Sequence, residues 1–383
     1  MPAMAGAQHL FKPVTVEELE KVLTAAQNTS EAKAARQISG LELTERMSNA
    51  RLASWKTRLP GAKSWNALVV VADLSAFLDP PAAEIAADAP PDLDAQQRMM
   101  SKVIDYLKTT IPNLPNFIAT QTTVHYAEYQ QGDMLPENND PPDWPLQKTG
   151  NSRATVLYRN GIDVVDVPSV NGKTPQVDQW SMNTEGTFGI ILSTIIPNAM
   201  ASHSIFAWSR WVKDTGGVRA VFRYAVSEAN SSYEITFCCL PEGNGTNVFK
   251  LKPGYHGEIM IDPESGAILR ITIEAELKPD LPVVQSEVMV EYGPVEIGGK
   301  TYICPSRSVS LSRGRILKPY LTILGTTRAY GPNMTMLNDI TYEDYHIFRA
   351  KSRILTGDEP STEGQRSDPG MTSVPATEPK TKP

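Results

Sequence analysis

The chain has 383 residues, 41% hydrophobic and 21% charged, a balance that suits a globular protein with room for two domains. Its 43 acidic and 36 basic residues give a net charge of -7, which argues against a general nucleic-acid binder and disfavours anionic membrane surfaces. The longest apolar run, Trp65 to Leu78, is broken by Asn66, Asp73 and Ser75 and falls short of the roughly 20 residues a membrane helix needs, so it reads as a buried helix.

The amino end carries no complete signal peptide, yet Ala3-Met4-Ala5 has the small-x-small form of a cleavage site, and export is inferred from it. The first 110 or so residues then read as helices. Thr15 and Glu18 form a capping box ahead of the stripe Val16, Leu19, Val22, Leu23 and Ala26. Asn28-Thr29-Ser30 ends that helix and caps a second, which Gly40 closes. Thr44 is expected to cap a third helix carrying Met47, Leu52, Trp55 and Leu59. Ser64 is expected to cap a fourth, apolar nearly all round and so central. Two Pro-Pro pairs bracket an acidic connector, and Asp94 with Gln97 resembles a capping box for a fifth helix, whose stripe runs from Met99 to Ile111.

From Asn116 the hydrophobic period changes from near 3.6 to 2. Ile118, Thr120, Thr122, Val124 and Tyr126 share one face of a strand, and a proline-rich loop follows between Gln130 and Gly150. Asn160-Gly161 marks a hairpin between Thr155–Tyr158 and Ile162–Val165. Phe188 to Ile196 fits a short helix or a strand equally. Ser204–Val212, Val218–Ser227 and Tyr233–Cys239 read as a three-strand meander. The plainest signal is the hairpin of Glu258–Ile261 and Ala267–Glu274 around Asp262-Pro263-Glu264-Ser265-Gly266. It turns Ile259, Ile261, Ile271 and Ile273 inward and Glu258, Arg270, Thr272 and Glu274 to the other side. Strands at Gln285–Tyr292, Lys300–Ser312 and Asn338–Arg349 bring the count to about ten, on short turns that favour antiparallel pairing. Thr356 to Pro383 holds five prolines and two sizeable aliphatic residues, and reads as a disordered tail.

No linear signature for a nucleotide, zinc, cofactor or hydrolase site occurs, so the catalytic, metal and cofactor expectations are none, and an enzyme is disfavoured. His256 and Glu258 project from one strand face as a metal or acid/base pair would, but a third ligand cannot be nominated. His125 and His346 read as ordinary strand residues. Glu258, Glu274, Glu287 and Glu291 suggest paired carboxylates, for which a solvated sheet face is the plainer account. Arg307, Arg313, Arg315 and Lys318 form a basic run suited to an anionic group or to a charged sheet edge. Cys238 and Cys239 point to opposite faces if they lie on a strand, so at most one meets Cys304 easily. Cys239 with Cys304 is the candidate disulfide, and three reduced, buried cysteines are the alternative. The aromatic rows Phe206 with Trp208, Phe222 with Tyr224, and Tyr233 with Phe237 fill a core, or line an apolar groove if the sheet curves uncovered.

Several phrases, among them Ser39-Gly40-Leu41-Glu42-Leu43-Thr44-Glu45-Arg46, Tyr255-His256-Gly257-Glu258 and Val290-Glu291-Tyr292-Gly293-Pro294-Val295-Glu296-Ile297-Gly298-Gly299-Lys300, resemble a group of secreted acidobacterial proteins of unassigned function. The Asp-Pro-x-Ser-Gly hairpin and its following strands are similar, more distantly, to the half-barrel of periplasmic lipoprotein carriers and related lipid-binding proteins. Together these readings lead us to expect an α+β protein in three parts: a helical bundle at 14–112, a curved antiparallel, half-barrel-like sheet at 116–355, and the tail 356–383. The expected function is that of a periplasmic or secreted protein binding a lipid, acyl chain or lipoprotein on the sheet's concave face. The alternative is an envelope interaction module whose helical part binds a protein partner.

Overall fold

The computed structural model describes residues 11–128, 146–159, 162–166, 191–192, 196–201, 205–238, 240, 247–322 and 325–348. The tail expected at 356–383, most of the proline-rich loop, and Cys239 lie outside them.

The first helix begins as the sequence predicts. The Thr15 hydroxyl accepts from the Glu18 N–H (3.2 Å), the Glu18 carboxylate accepts from the Thr15 N–H (2.9 Å), and α1 (Val16–Ala26) follows. Next come α2 (Glu31–Ser39), α3 (Asn49–Trp55), α4 (Ala62–Leu74) and α5 (Leu93–Thr109). Three starts differ from expectation. Ser64 lies inside α4, which Gly61 precedes, and its hydroxyl donates back to the Gly61 carbonyl at 2.9 Å. Thr44 is no cap: its N–H bonds Val14 O at the end of a short parallel pair, β1 (Lys12–Val14) with β2 (Leu41–Leu43), and Ser48 precedes α3 instead. The cap of α5 is Asp92, whose Oδ1 takes the Ala95 N–H at 2.7 Å, two residues before the predicted site. A carboxylate at either place meets the same exposed N–H groups, which is why pattern alone leaves the register open.

The strands are β3 (Phe117–Ala127), β4 (Gln147–Arg159), β5 (Ile162–Asp166), β6 (Ile205–Asp214), β7 (Gly217–Val226), β8 (Ile235–Cys238), β9 (Val248–Leu251), β10 (Tyr255–Ile261), β11 (Ile268–Ala275), β12 (Val283–Ile297), β13 (Lys300–Thr322) and β14 (Gly325–Ile347). Ten of them form one antiparallel sheet in the order β5-β4-β3-β14-β13-β12-β11-β10-β7-β6, which is not closed. The predicted meander holds for β6 and β7, but the third strand leaves it. β8 pairs with β9 in a separate ribbon, and β10 takes its place beside β7.

Both faces of the sheet are covered. On one, Ile259, Ile261, Ile271, Ile273, Val288 and Val290 pack with Met99, Val103 and Leu107 of α5 and with Ile196 and Ala199 of α6 (Ile196–Ala201). Leu114 carries this core on to a second cluster around Phe117, Tyr158, Cys304 and Tyr342. Burying each such side chain contributes on the order of 1.5–3 kcal/mol. On the other face, α1 to α4 do not form a separate bundle. Leu19, Leu23, Leu52, Leu68 and Val70 share one core with Tyr126, Met289, Val309, Leu311 and Leu337 of the sheet.

That second interface also buries charge. Asp73, in the otherwise apolar α4, is fully buried and bonds Arg307 of β13, whose Nε reaches Asp339 of β14 at 2.9 Å. Burial opposes the charge on Arg307, but the two carboxylates outweigh it and raise its pKa. Arg307 is therefore a tie between layers, where the sequence suggests an exposed basic run.

Without Asp73, Arg307 keeps Asp339 alone, so breaking this buried pair is expected to cost about 3 kcal/mol, the lower end of the range for such pairs. Asp73→Ala is accordingly expected to lower stability by about that much in urea unfolding, and Asp73→Leu combined with Arg307→Met to recover part of it. A loss below about 1 kcal/mol for the single variant would show that the pair contributes little.

Candidate functional site

The charged face of the organising hairpin lies under the chain that leaves α4. Phe77, Leu78 and Asp79 roof a pocket of about 430 Å³. Its floor and walls are Arg223 and Tyr224 of β7, His256, Gly257 and Glu258 of β10, and Arg270, Thr272 and Glu274 of β11. This volume falls within the range of small-molecule sites.

The sheet is irregular beneath it. β10 and β11 pair at Tyr255–Ala275 and His256–Glu274, and again from Ile259–Ile271, but not at the two positions between. Side chains take over there. The Glu258 N–H donates to Thr272 Oγ1 (2.9 Å), and Tyr224 Oη–H donates to the Thr272 carbonyl (2.6 Å). Gly257 permits this arrangement, because a Cβ at that position would collide with the Thr272 backbone. Tyr224, the cross-strand partner of Gly257, extends its hydroxyl to the carbonyl one strand further on.

A β-bulge supplies the pocket's ion network. The pairing of β6 with β7 shifts between Trp208 and Arg210, so Trp208 opposes Phe222 while Arg210 opposes Val221. Arg210 thereby reaches Glu258 with two bonds, at 2.8 and 2.6 Å, and Asp79 at 3.1 Å. Arg223 meets the same Glu258 at 3.1 Å and Asp79 at 3.3 Å. Burial pushes the Glu258 carboxyl up, but these arginines outweigh it and hold the group below its ordinary value.

Three groups stay outside this network. Arg270 is 4% exposed; it donates to the Ala76 carbonyl, and its Nε has no hydrogen-bond partner. Burial, with repulsion from Arg46, pulls its pKa down to about 9 against the attraction of Glu291 and Glu258. The Glu274 carboxylate makes no hydrogen bond or ion pair among the described residues, and burial with the nearby Glu258 charge raises it to about 6 against the attraction of Arg270. His256, its cross-strand partner, is exposed. Glu287, next in the same row, is likewise raised to about 6 by burial and by Glu274. Among the described residues no cluster suits a metal ion.

No family model, curated protein or solved structure matches this chain.

Of the residues singled out from sequence, the pocket gathers His256, Glu258, Glu274 and Tyr224. Tyr224 borders the pocket from β7 while its ring packs on the opposite face of the sheet, and the other aromatics lie away from the pocket. Phe222 and Tyr224 are buried in the α5 core, where Phe206 stacks on Tyr224 with ring centroids 5.6 Å apart and Trp208 meets Phe222 edge-on at 5.4 Å. Tyr233 packs at the margin of that core, and Phe237 belongs to the β8–β9 ribbon, paired with Phe249. Cys304 is a buried free cysteine. Residues missed by sequence reasoning are Arg223 and the roof Phe77 to Asp79. Neither carries a local sequence signal, because their contacts are with distant parts of the chain.

Gly257→Ala is expected to cost about 1–3 kcal/mol in chemical denaturation, the usual range for forced overpacking, while Gly293→Ala, in ordinary contact only, stays near neutral. Similar effects at the two glycines would refute the close approach. The raised carboxyls also give a pH dependence. Both bind the proton more tightly folded than unfolded, so their stabilising effect is complete below about 4.5 and is lost as pH rises through about 6. Glu287→Gln should therefore gain stability relative to the parent between about pH 4.5 and about pH 7. A difference that stays constant across that window would sink the assignment.

Proposed function

We propose that the protein binds a small polar molecule in the pocket between the α4 exit and strands β7, β10 and β11. The observation that carries this reading is the interrupted ladder under the pocket. A regular antiparallel pair satisfies its own backbone, whereas here the Thr272 hydroxyl and the Tyr224 phenol replace ladder bonds. The β-bulge that aims Arg210 at the same wall is of a kind over-represented next to active sites. The ion network supports the same reading, because it fixes Glu258, Arg223 and Asp79 in place and so preorganises one wall.

A lipid or acyl chain on the aromatic rows receives less support. Phe222 and Tyr224 are engaged in the core, and the polar pocket lies on the opposite face of the sheet. The reading in which the helical part recruits a protein partner is also weaker, since the apolar stripes of α1 and α4 are used against the sheet.

A screen of water-soluble metabolites by NMR, observing the His256 ring and the Gly257 amide, tests the proposal. Hits should shift both signals, and Leu78→Trp, which enlarges the roof, should abolish the shifts. Hits that leave both signals unmoved, or a complete set without hits, would overturn it.

A further inference from the structure

Resting on that reading, the pocket's charge arrangement points to the class of ligand. Asp79 and Glu258 are already matched by Arg210 and Arg223. What remains is one cation at the inner end and one carboxylate further along the same strand. Arg270 sits beneath the Ala76 carbonyl, with a buried Nε that no acceptor meets. Glu274 lies four residues on, on the same face of β11, with no hydrogen-bond partner among the described residues. Phe77 and Leu78 cover the space between them with apolar surface.

We infer that the pocket takes an extended zwitterion, such as a short peptide or an ω-amino acid, with its carboxylate at Arg270 and its ammonium at Glu274. Each charge of such a ligand answers an open one. A carboxylate set against the Arg270 guanidinium, which lines the pocket, offsets the cost of burying that charge, and a charge-assisted contact there is among the strong kinds. An ammonium beside Glu274 offsets the repulsion of Glu258, which together with burial discourages ionisation of that carboxyl. The separation selects among zwitterions. Four residues along a strand span about 13 Å between Cα atoms. Bent side chains shorten that gap, yet not to the adjacent carbons that carry the two charges of an α-amino acid. A simple anion fits poorly, because Asp79, Glu258 and Glu274 also line the pocket, and a simple cation leaves Arg270 unanswered.

Calorimetric titration of the full chain with 6-aminohexanoate, hexanoate and hexylamine separates these cases. The zwitterion should bind at least about tenfold more tightly than either single-charge analogue. Glu274→Gln should reduce its affinity to that of hexanoate, and Arg270→Met to that of hexylamine. If Arg270→Met does not fold, the half-buried Glu274 variant and the three-ligand comparison on the parent still decide the matter. Hexanoate or hexylamine binding as tightly as the zwitterion overturns the inference, as does a Glu274→Gln variant that discriminates as the parent does. Where all three ligands fail but metabolites still shift the His256 ring, the pocket stands and the zwitterion is refuted; where nothing moves that ring, both readings fall.

Discussion

The buried contact between Asp73 and Arg307 is the interaction on which the rest of the structure depends. α4 is apolar nearly all round, so hydrophobic burial alone would hold it against the sheet without fixing its position along the strands. One carboxylate bound to a guanidinium on β13, itself held by Asp339 on β14, removes that freedom. Four residues after Asp73 the chain becomes the roof of the pocket, and Asp79 at its end is tied to Arg210 and Arg223. Helix, roof and pocket wall are therefore positioned by two sets of charge contacts between the layers, one at each end of the segment 73–79.

The two faces of the sheet meet their helices by different means. Against α5 and α6 the contact is almost wholly aliphatic and aromatic, a close-packed arrangement that tolerates little change in volume. Against α1 to α4, apolar packing around Val309 and Leu311 gives way toward β7 and β10 to a field of arginines and carboxylates. Burying charge is costly, and hydrophobic residues of similar volume would often stabilise as well or better. Direction is what the ionic face adds. Arg210, Arg223 and Glu258 are held at defined distances, and a pocket wall needs that more than it needs density.

Much of the architecture is legible in local pattern. The capping box at Thr15, the pairing of β4 with β5 and the alternation of Ile259, Ile261, Ile271 and Ile273 each follow from contacts within a few residues. What the pattern misses is set by distant partners. Nothing near Ile235 announces that β8 pairs with β9, or that β10 lies beside β7, because strand order depends on non-local pairing. The polar face of the hairpin reads as solvated, since alternation shows which residues share a face but not what covers it. Arg270 and Thr272 are in fact among the most buried polar residues described. The pocket was half visible for the same reason: His256, Glu258 and Glu274 stand out on their strands, while Arg223 and the roof come from elsewhere in the chain.

The pocket floor shows why a single glycine has so large a role. A residue with a side chain at 257 would force β10 away from the Thr272 backbone, and the Tyr224 hydroxyl would lose its path to that carbonyl. With glycine there, the strands stay close while the ladder is interrupted for two positions, and a phenol and a threonine hydroxyl satisfy the groups that it leaves open. Those substitutes lie on opposite sides of the strand pair, Tyr224 reaching from the α5 core and Thr272 lining the pocket. The apolar core is thus coupled directly to the polar site. A shift in α5 packing would move Tyr224, then the Thr272 carbonyl, and with it the strand that carries Arg270 and Glu274.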